Sequence, residues 1–199
     1  MPGRLIVVEG LDGTGKTTLS VALARALGAE WTTTPGQALR AVRADVERHL
    51  GACAVARQAF YAATVLAESA RVGAWLDAGR DVVVDRYWCS TLAYAAARGQ
   101  SADLAALEAH VRPADVTLFL TLDERERAAR LRARGLTDLD AETLSPLRSQ
   151  ALLALFRTAL ARPCAGRVVE LDVTGRDPEE VLADARAATY GSSAPALFT

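Results

Sequence analysis

Cysteine, histidine and long apolar runs are all scarce in this sequence. Its 199 residues include three cysteines and two histidines, and Cys53, Cys89 and Cys164 have no metal-ligand spacing. This scarcity excludes a disulfide-rich secreted scaffold and favours reduced thiols in a cytoplasmic protein. No apolar stretch reaches the length of a membrane-spanning helix or of a signal peptide's hydrophobic region. We therefore expect a cytoplasmic chain with no membrane partner.

A charge excess of either sign is also lacking. The 23 Lys and Arg residues nearly balance the 24 Asp and Glu residues, which leaves a formal net charge of -1. Proteins that bind the phosphate backbone of DNA or RNA, or the surface of an anionic membrane, present a broad basic surface. The balance found here predicts no nucleic-acid partner.

Apolar segments alternate with helical patterns along the chain. Strands are predicted at residues 5–9, 30–33, 81–85, 116–122 and 168–171, because these segments are rich in Val, Leu and Ile, as strands buried on both faces are. Helices are predicted at residues 37–50, 54–78, 104–111, 123–134, 141–160 and 178–188. The alternation predicts an α/β, doubly wound, three-layer fold with a mostly parallel five-stranded sheet. We expect a single domain over residues 1–190 and a flexible tail over 191–199.

A glycine-rich loop follows the first predicted strand. Residues 10–17 read G-x-x-x-x-G-K-T and lead into a helical pattern. Glycines allow several backbone N–H groups to converge on a phosphate, and the N-terminus of the following helix favours an anion. Lys16 is predicted to contact the β- and γ-phosphates, and the Thr17 hydroxyl to ligate Mg²⁺. The predicted nucleoside triphosphate site comprises Gly10, Leu11, Asp12, Gly13, Thr14, Gly15, Lys16, Thr17 and Thr18.

The third predicted strand ends in a carboxylate and a guanidinium. Asp85 is predicted to hold Mg²⁺, directly or through water, and Arg86 to grip a transferred or accepting phosphate. The alternative is an ion pair of structural value only. Because ligands of parallel α/β sheets bind beyond the carboxyl ends of the strands, we expect Gly10, Thr33 and Asp85 to converge.

Four segments of the sequence resemble one known family. They are residues 9–18, residues 85–94 with the pattern D-R-Y-x-x-S-x-x-x-Y, residues 115–120, and the arginine-rich residues 130–135. In this order they resemble the thymidylate kinases, which make dTDP from dTMP and ATP. The resemblance implies a P-loop kinase fold with a helical lid near residues 130–142, nucleoside monophosphate kinase activity, ATP and Mg²⁺ as requirements, and a homodimer.

The same resemblance implies roles for individual residues. Asp12 would meet the acceptor's sugar hydroxyl, and Phe60 would stack on the thymine ring. The catalytic cations would be Lys16, Arg86 and the lid residues Arg130, Arg132 and Arg134. The acceptor-binding residues would be Asp12, Phe60, Thr64, Arg86, Ser90, Thr91 and Tyr94.

The departures from the family pattern lie on the acceptor side. Thr33 and Thr64 stand where family members usually carry arginines, and Ala95 stands where a glutamine is common. Arg40 or Arg43 is a candidate to replace the lost phosphate contact, and the sequence does not choose between them.

Three other functions share parts of this pattern. A GTPase with the same loop needs a guanine-reading N-K-x-D segment, which the sequence lacks. A nucleotide-binding module with weak or no catalysis agrees with the lost acceptor residues but not with intact Lys16, Thr17, Asp85 and Arg86. A divergent kinase for another nucleoside monophosphate or small phosphorylated acceptor stays open.

Overall fold

Five parallel strands form the centre of the fold. The computed structural model describes residues 1–51, 53–99, 103–136 and 143–191. The strands are β1 (Leu5–Gly10), β2 (Glu30–Thr33), β3 (Val82–Asp85), β4 (Val116–Thr121) and β5 (Arg167–Asp172). They lie in the order β2-β3-β1-β4-β5, and every neighbouring pair is parallel. The predicted α/β fold with a parallel five-stranded sheet is therefore confirmed.

Helices connect the strands on both faces of the sheet. In the described ranges they are α1 (Lys16–Leu27), α2 (Gln37–Leu50), α3 (Ala54–Asp77), α4 (Trp88–Ala97), α5 (Ala105–Glu108), α6 (Glu124–Ala133), α7 (Pro146–Leu160) and α8 (Pro178–Tyr190). A short 3₁₀ helix, Pro163–Ala165, precedes β5. None of the described helices has the length and hydropathy that crossing a membrane requires.

The helices differ most from the sequence prediction at α4, at α5 and at the start of α7. The helix predicted from residue 141 begins at Pro146, whose fixed φ suits the first helical turn. Residues 137–142 of the predicted lid lie outside the described residues. The helix predicted at 104–111 is confined to Ala105–Glu108, and α4 was not predicted as a helix at all.

The sheet is buried on both faces because its side chains alternate between two apolar layers. Leu5 and Val7 of β1 pack with α3 on one face, in a cluster that includes Val65 and Val72. Ile6 and Val8 pack on the opposite face, in a cluster that contains α1 and α8 residues. This two-sided burial fixes the register of β1 between β3 and β4, and so fixes where the loop after β1 emerges.

Gly166 is a glycine that the packing of β5 requires. Its φ is +61°, and an added Cβ would lie 1.9 Å from the carbonyl oxygen of Ala114. Gly175 has a similar φ of +63° with no atom within 4 Å of an added Cβ.

Gly175→Ala should lower the free energy of unfolding by about 1 kcal/mol through backbone strain. Gly166→Ala should lower the free energy of unfolding by roughly 1–3 kcal/mol more than Gly175→Ala does, because the backbone at Ala114 must also move.

Urea unfolding of the two variants measures this difference directly, since both carry the same substitution at nearly the same φ. Equal losses of stability in the two variants would contradict the close approach of β5 to Ala114.

Candidate active site

The loop between β1 and α1 has the backbone geometry of a phosphate cradle. Gly13 and Gly15 have φ of +90° and +92°, a conformation that residues with a Cβ rarely adopt. An added Cβ at Gly13 would lie 3.0 Å from Cγ of Leu131, so α6 closely covers the loop. Beyond Gly15, the N–H groups of the first turn of α1 face the cradle, as anion binding requires.

Lys16 lies inside this cradle. Its side chain is buried, and Nζ donates a hydrogen bond to the carbonyl of Leu11 at 2.5 Å. Burial, together with the nearby Arg86 cation, lowers the pKa of Lys16 to about 8 even though Asp12 and Asp85 act in the opposite direction. An ammonium has three donors, so phosphate oxygens can be bound as well as the Leu11 carbonyl.

Thr17 and Asp85 form an oxygen pair suited to Mg²⁺. The Thr17 hydroxyl donates to Oδ2 of Asp85 at 2.5 Å. Asp85 is buried, and its other oxygen, Oδ1, has no hydrogen-bond partner among the described residues. Mg²⁺ sites beside nucleotides use one or two protein oxygens and complete the shell with phosphates and water. The described residues contain no group of three or more His, Cys, Asp or Glu side chains that could hold a metal by themselves.

An ion pair joins the cradle to the end of β3. Nη2 of Arg86 donates to Oδ1 of Asp12, and the Tyr94 hydroxyl donates to Oδ2 of the same carboxylate at 2.9 Å. Burial would raise the pKa of Asp12, but the Arg86 and Lys16 cations outweigh it and hold that pKa well below its usual range. Asp12 is therefore ionised at any physiological pH and holds the Arg86 guanidinium at the carboxyl edge of the sheet.

Glu9 supports this arrangement from inside the core. Arg86 has a φ of +67°, which among the described residues is the only positive φ outside glycine. The fully buried carboxylate of Glu9 accepts hydrogen bonds from the backbone N–H groups of Tyr87 at 2.9 Å and Ser90 at 3.0 Å, and from the Ser90 hydroxyl at 2.5 Å. Burial raises the pKa of Glu9, and these bonds oppose the rise. Glu9 thus fixes the sharp turn at Arg86 and the start of α4.

One face of α6 covers the phosphate loop. Arg127, Arg130, Leu131 and Arg134 share this face, as residues three, four and seven apart do on a helix. Nη1 of Arg130 lies 3.8 Å from where a Gly15 Cβ would be, and Arg134 is among the cations that lower the pKa of Asp12. Arg132 is exposed and lies on the other side of the helix. Of the three predicted lid arginines, the structure brings two to the loop.

Arg127 was missed by the sequence prediction. Its side chain is 1% exposed, and its Nη1 donates to the backbone carbonyl of Asp12 at 3.1 Å. Its other nitrogens bind both oxygens of Glu124, and Nη2 also binds the Thr143 carbonyl and the Ser149 hydroxyl. A buried arginine needs several acceptors, and all of these except Glu124 come from outside α6, so no local pattern marks it.

The predicted acceptor residues divide into three groups. Tyr94 and Asp12 are joined at the centre of the site, as described above. Ser90 and Thr64 instead bind the protein: Ser90 donates to Glu9, and Thr64 is buried and donates to the Tyr61 carbonyl at 2.7 Å. Phe60 and Thr91 are half-buried, on α3 and α4 respectively. Phe60 meets the ring of Tyr61 edge-on, with 5.3 Å between centroids.

The two candidate replacements for the missing arginine have different partners. Nη2 of Arg40 donates to the Thr33 hydroxyl at 3.3 Å. Arg43 donates through Nε to the Tyr61 hydroxyl at 2.8 Å and to Glu47 at 3.3 Å. Arg40 therefore reaches the end of β2, whereas Arg43 is engaged between α2 and α3.

The sequence is similar to curated kinases. A family model described as Thymidylate kinase matches residues 8–183. The chain is 34% identical over 149 residues to a thymidylate kinase of Xanthomonas campestris, covering 67% of this chain and 62% of that relative. It therefore spans less than two thirds of that relative's length. A probable thymidylate kinase of Methanococcus vannielii is 27% identical over 187 residues, covering 90% of this chain and 91% of the relative.

Solved structures share the fold at low identity. The thymidylate kinase of Candida albicans superimposes with a TM-score of 0.72 at 21% identity, over 94% of this chain and 91% of that one. The thymidylate kinase of Ehrlichia chaffeensis superimposes with a TM-score of 0.67 at 20% identity, over 95% of this chain and 100% of that one. These likenesses confirm the predicted P-loop kinase fold.

The pKa of Lys16 can be measured without interference, because Lys16 is the only lysine in the sequence. In protein labelled with ¹³C-lysine, the single side-chain signal should titrate with a midpoint near 8, since burial disfavours the charged form. Saturating Mg²⁺-ADP should raise the midpoint, because phosphate charges favour the ammonium. A midpoint near the ordinary 10.5 in the free protein would show that Lys16 is not enclosed by the loop.

Arg127→Met should destabilise the protein, because several buried acceptors lose their donor. We expect the free energy of unfolding in urea to fall by about 2–4 kcal/mol. Arg125, on the exposed side of the same helix, supplies the control: Arg125→Met should change it by less than about 0.5 kcal/mol. Equal effects in the two variants would show that the Arg127 contacts do not hold α6 to the loop.

Proposed function

Because the chain belongs to the thymidylate kinase family, we propose that it transfers the γ-phosphoryl group of ATP to the phosphate of dTMP. The observation that carries the proposal is the meeting of three groups at the carboxyl edge of β1 and β3. These are the loop with Lys16, the Thr17–Asp85 oxygen pair, and the Asp12–Arg86 ion pair. Together they would supply a cradle for the phosphates of ATP, a site for Mg²⁺ and an arginine for the phosphate of the acceptor.

The proposed reaction needs positioning more than proton transfer. An oxygen of the acceptor phosphate is already an anion, so it can attack the γ-phosphorus without a general base. The bond from this oxygen to phosphorus forms, the bond from phosphorus to the β–γ bridging oxygen breaks, and ADP leaves. Arg86 would hold the acceptor phosphate in line, and Lys16 would neutralise charge on the β- and γ-oxygens.

Mg²⁺ would be held by Thr17 and Asp85, where it would neutralise phosphate charge. Arg130 and Arg134 would complete the neutralisation from the opposite side, since α6 directs both towards the loop. Arg132, on the far side of α6, is a weaker candidate for this role. Closure by these arginines would also exclude water, which otherwise competes for the γ-phosphoryl group.

The acceptor pocket would lie between α3 and α4. Asp12, held by Tyr94 as well as by Arg86, offers carboxylate oxygens to a sugar hydroxyl. Phe60 would stack on the base, and Thr91 would line the pocket. Ser90 and Thr64 would shape it indirectly, because their hydroxyls bind Glu9 and the Tyr61 carbonyl.

Several broader expectations remain part of the proposal. We propose ATP as the donor, a cytoplasmic location, a single domain over residues 1–190 and a homodimer. The intact ion pairs and the buried Lys16 argue against a catalytically inert nucleotide-binding module, because such a module needs no arginine beside its phosphate loop.

Acceptor preference tests the proposal most simply. Purified protein with Mg²⁺-ATP should form ADP fastest with dTMP, in a coupled assay run in parallel with dUMP, UMP, CMP and dCMP. Lys16→Met should lower the rate by roughly 10²-fold or more, because it removes a preorganised cation from the transferred group. A faster rate with another monophosphate would reassign the acceptor. No transfer to any of them would overturn the proposed dTMP kinase function.

A further inference from the structure

Thr34 binds both backbone carbonyls that flank Arg86. It directly follows the last residue of β2, and its side chain is buried. Its backbone N–H donates to the carbonyl of Asp85 at 3.1 Å, and its hydroxyl donates to the carbonyl of Arg86 at 2.9 Å. The mechanism proposed above gives Thr34 no role, although this one residue holds two successive peptide units at the end of β3.

The same two peptide units are also bound through their N–H groups. The N–H of Arg86 donates to the carbonyl of Val8 at 3.0 Å. The N–H of Tyr87 donates to the carboxylate of Glu9 at 2.9 Å. Val8 and Glu9 belong to β1, and β3 lies between β1 and β2 in the sheet. The two peptide units are therefore held by β1 on one side and by the residue after β2 on the other.

These four hydrogen bonds fix a conformation that Arg86 would otherwise avoid. The φ and ψ of a residue describe how the peptide units before and after it are rotated. The φ of Arg86 is +67°, in the left-handed region that is unfavourable for a residue with a Cβ. From this backbone conformation the guanidinium reaches Asp12. If the turn relaxed, the guanidinium would move away from the phosphate loop.

Glu9 and Thr34 have complementary parts in this turn. Glu9 accepts a hydrogen bond from the N–H of the peptide unit after Arg86, whereas the carbonyl of that unit needs a donor. The hydroxyl of Thr34 is that donor. We propose that Thr34 is a positioning residue, which holds Arg86 in the conformation from which it binds the acceptor phosphate. This proposal rests on the kinase function proposed above and deepens it.

Removal of the Thr34 hydroxyl tests the assignment. Thr34→Val keeps the branched shape and should lower kcat/KM for dTMP roughly 3- to 10-fold, which is the effect of losing one neutral hydrogen bond. The KM for ATP should stay within about twofold of wild type. Thr34→Ala, a second variant without the donor, should give the same losses. Thr34→Ser should recover most of the activity, because serine carries the same donor.

Thr117→Val is the matched control for a purely structural role. Thr117 is a buried threonine of β4, and its hydroxyl donates to the backbone carbonyl of Ala165 at 2.6 Å. The substitution removes an equivalent hydrogen bond outside the proposed site. It should lower the urea midpoint about as much as Thr34→Val does, but it should leave kcat and the KM for dTMP unchanged.

A double-mutant cycle shows whether Thr34 acts through Arg86. Thr34→Val should raise the dissociation constant of dTMP, measured by calorimetry, roughly 3- to 10-fold in the otherwise wild-type protein. It should have no further effect in Arg86→Met protein, which has no guanidinium to position. An equal factor in both backgrounds, an unchanged kcat/KM in Thr34→Val, or an equal kinetic loss in Thr117→Val would each overturn the proposal. A wild-type protein that phosphorylates no nucleoside monophosphate would instead overturn the proposed dTMP kinase function, which is a distinguishable result.

Discussion

The ion pair between Asp12 and Arg86 is the contact on which the rest of the site depends. It joins the phosphate loop after β1 to the end of β3, and so couples the proposed donor half of the site to the proposed acceptor half. Arg86 reaches Asp12 from a left-handed backbone conformation that costs free energy. The buried carboxylate of Glu9 offsets that cost by binding the two N–H groups that follow the turn. A buried carboxyl group, usually a liability, here holds a strained residue in place.

Helix α6 gives the loop its second support. Arg127 binds the backbone carbonyl of Asp12 and, through the Thr143 carbonyl and Ser149, the start of α7. The same helix face presents Arg130 and Arg134 to the loop. A fixed arginine and two arginines that face the phosphate loop therefore share one rigid element. Movement of α6 would change the loop and the proposed catalytic cations together, which provides a physical route for coupling nucleotide binding to closure.

The sequence reveals those parts of the site that rest on local chemistry. The loop between β1 and α1 was predictable because glycine spacing and a following helix are sufficient to specify it, and the strands were predictable from their continuous apolar runs. Apart from Glu124, which lies three residues before Arg127, the partners of Arg127 and Glu9 were not, because they lie far away in the sequence and meet only in the folded chain. The sequence does not distinguish Arg40 from Arg43, because the hydrogen bonds of Arg43 to Glu47 and Tyr61 form only in the folded chain. For Ser90, a motif position indicated a substrate contact where the folded chain supplies a protein partner.

A crystal structure with Mg²⁺, a non-hydrolysable ATP analogue and dTMP would test the central claim most directly. That claim is that the γ-phosphate of ATP and the phosphate of dTMP meet beside the Asp12–Arg86 pair. The account predicts that the phosphate of dTMP lies within hydrogen-bond distance of the Arg86 guanidinium, with a sugar hydroxyl on Asp12 and the base against Phe60. A dTMP phosphate bound away from Arg86, with the ion pair untouched by either nucleotide, would contradict it.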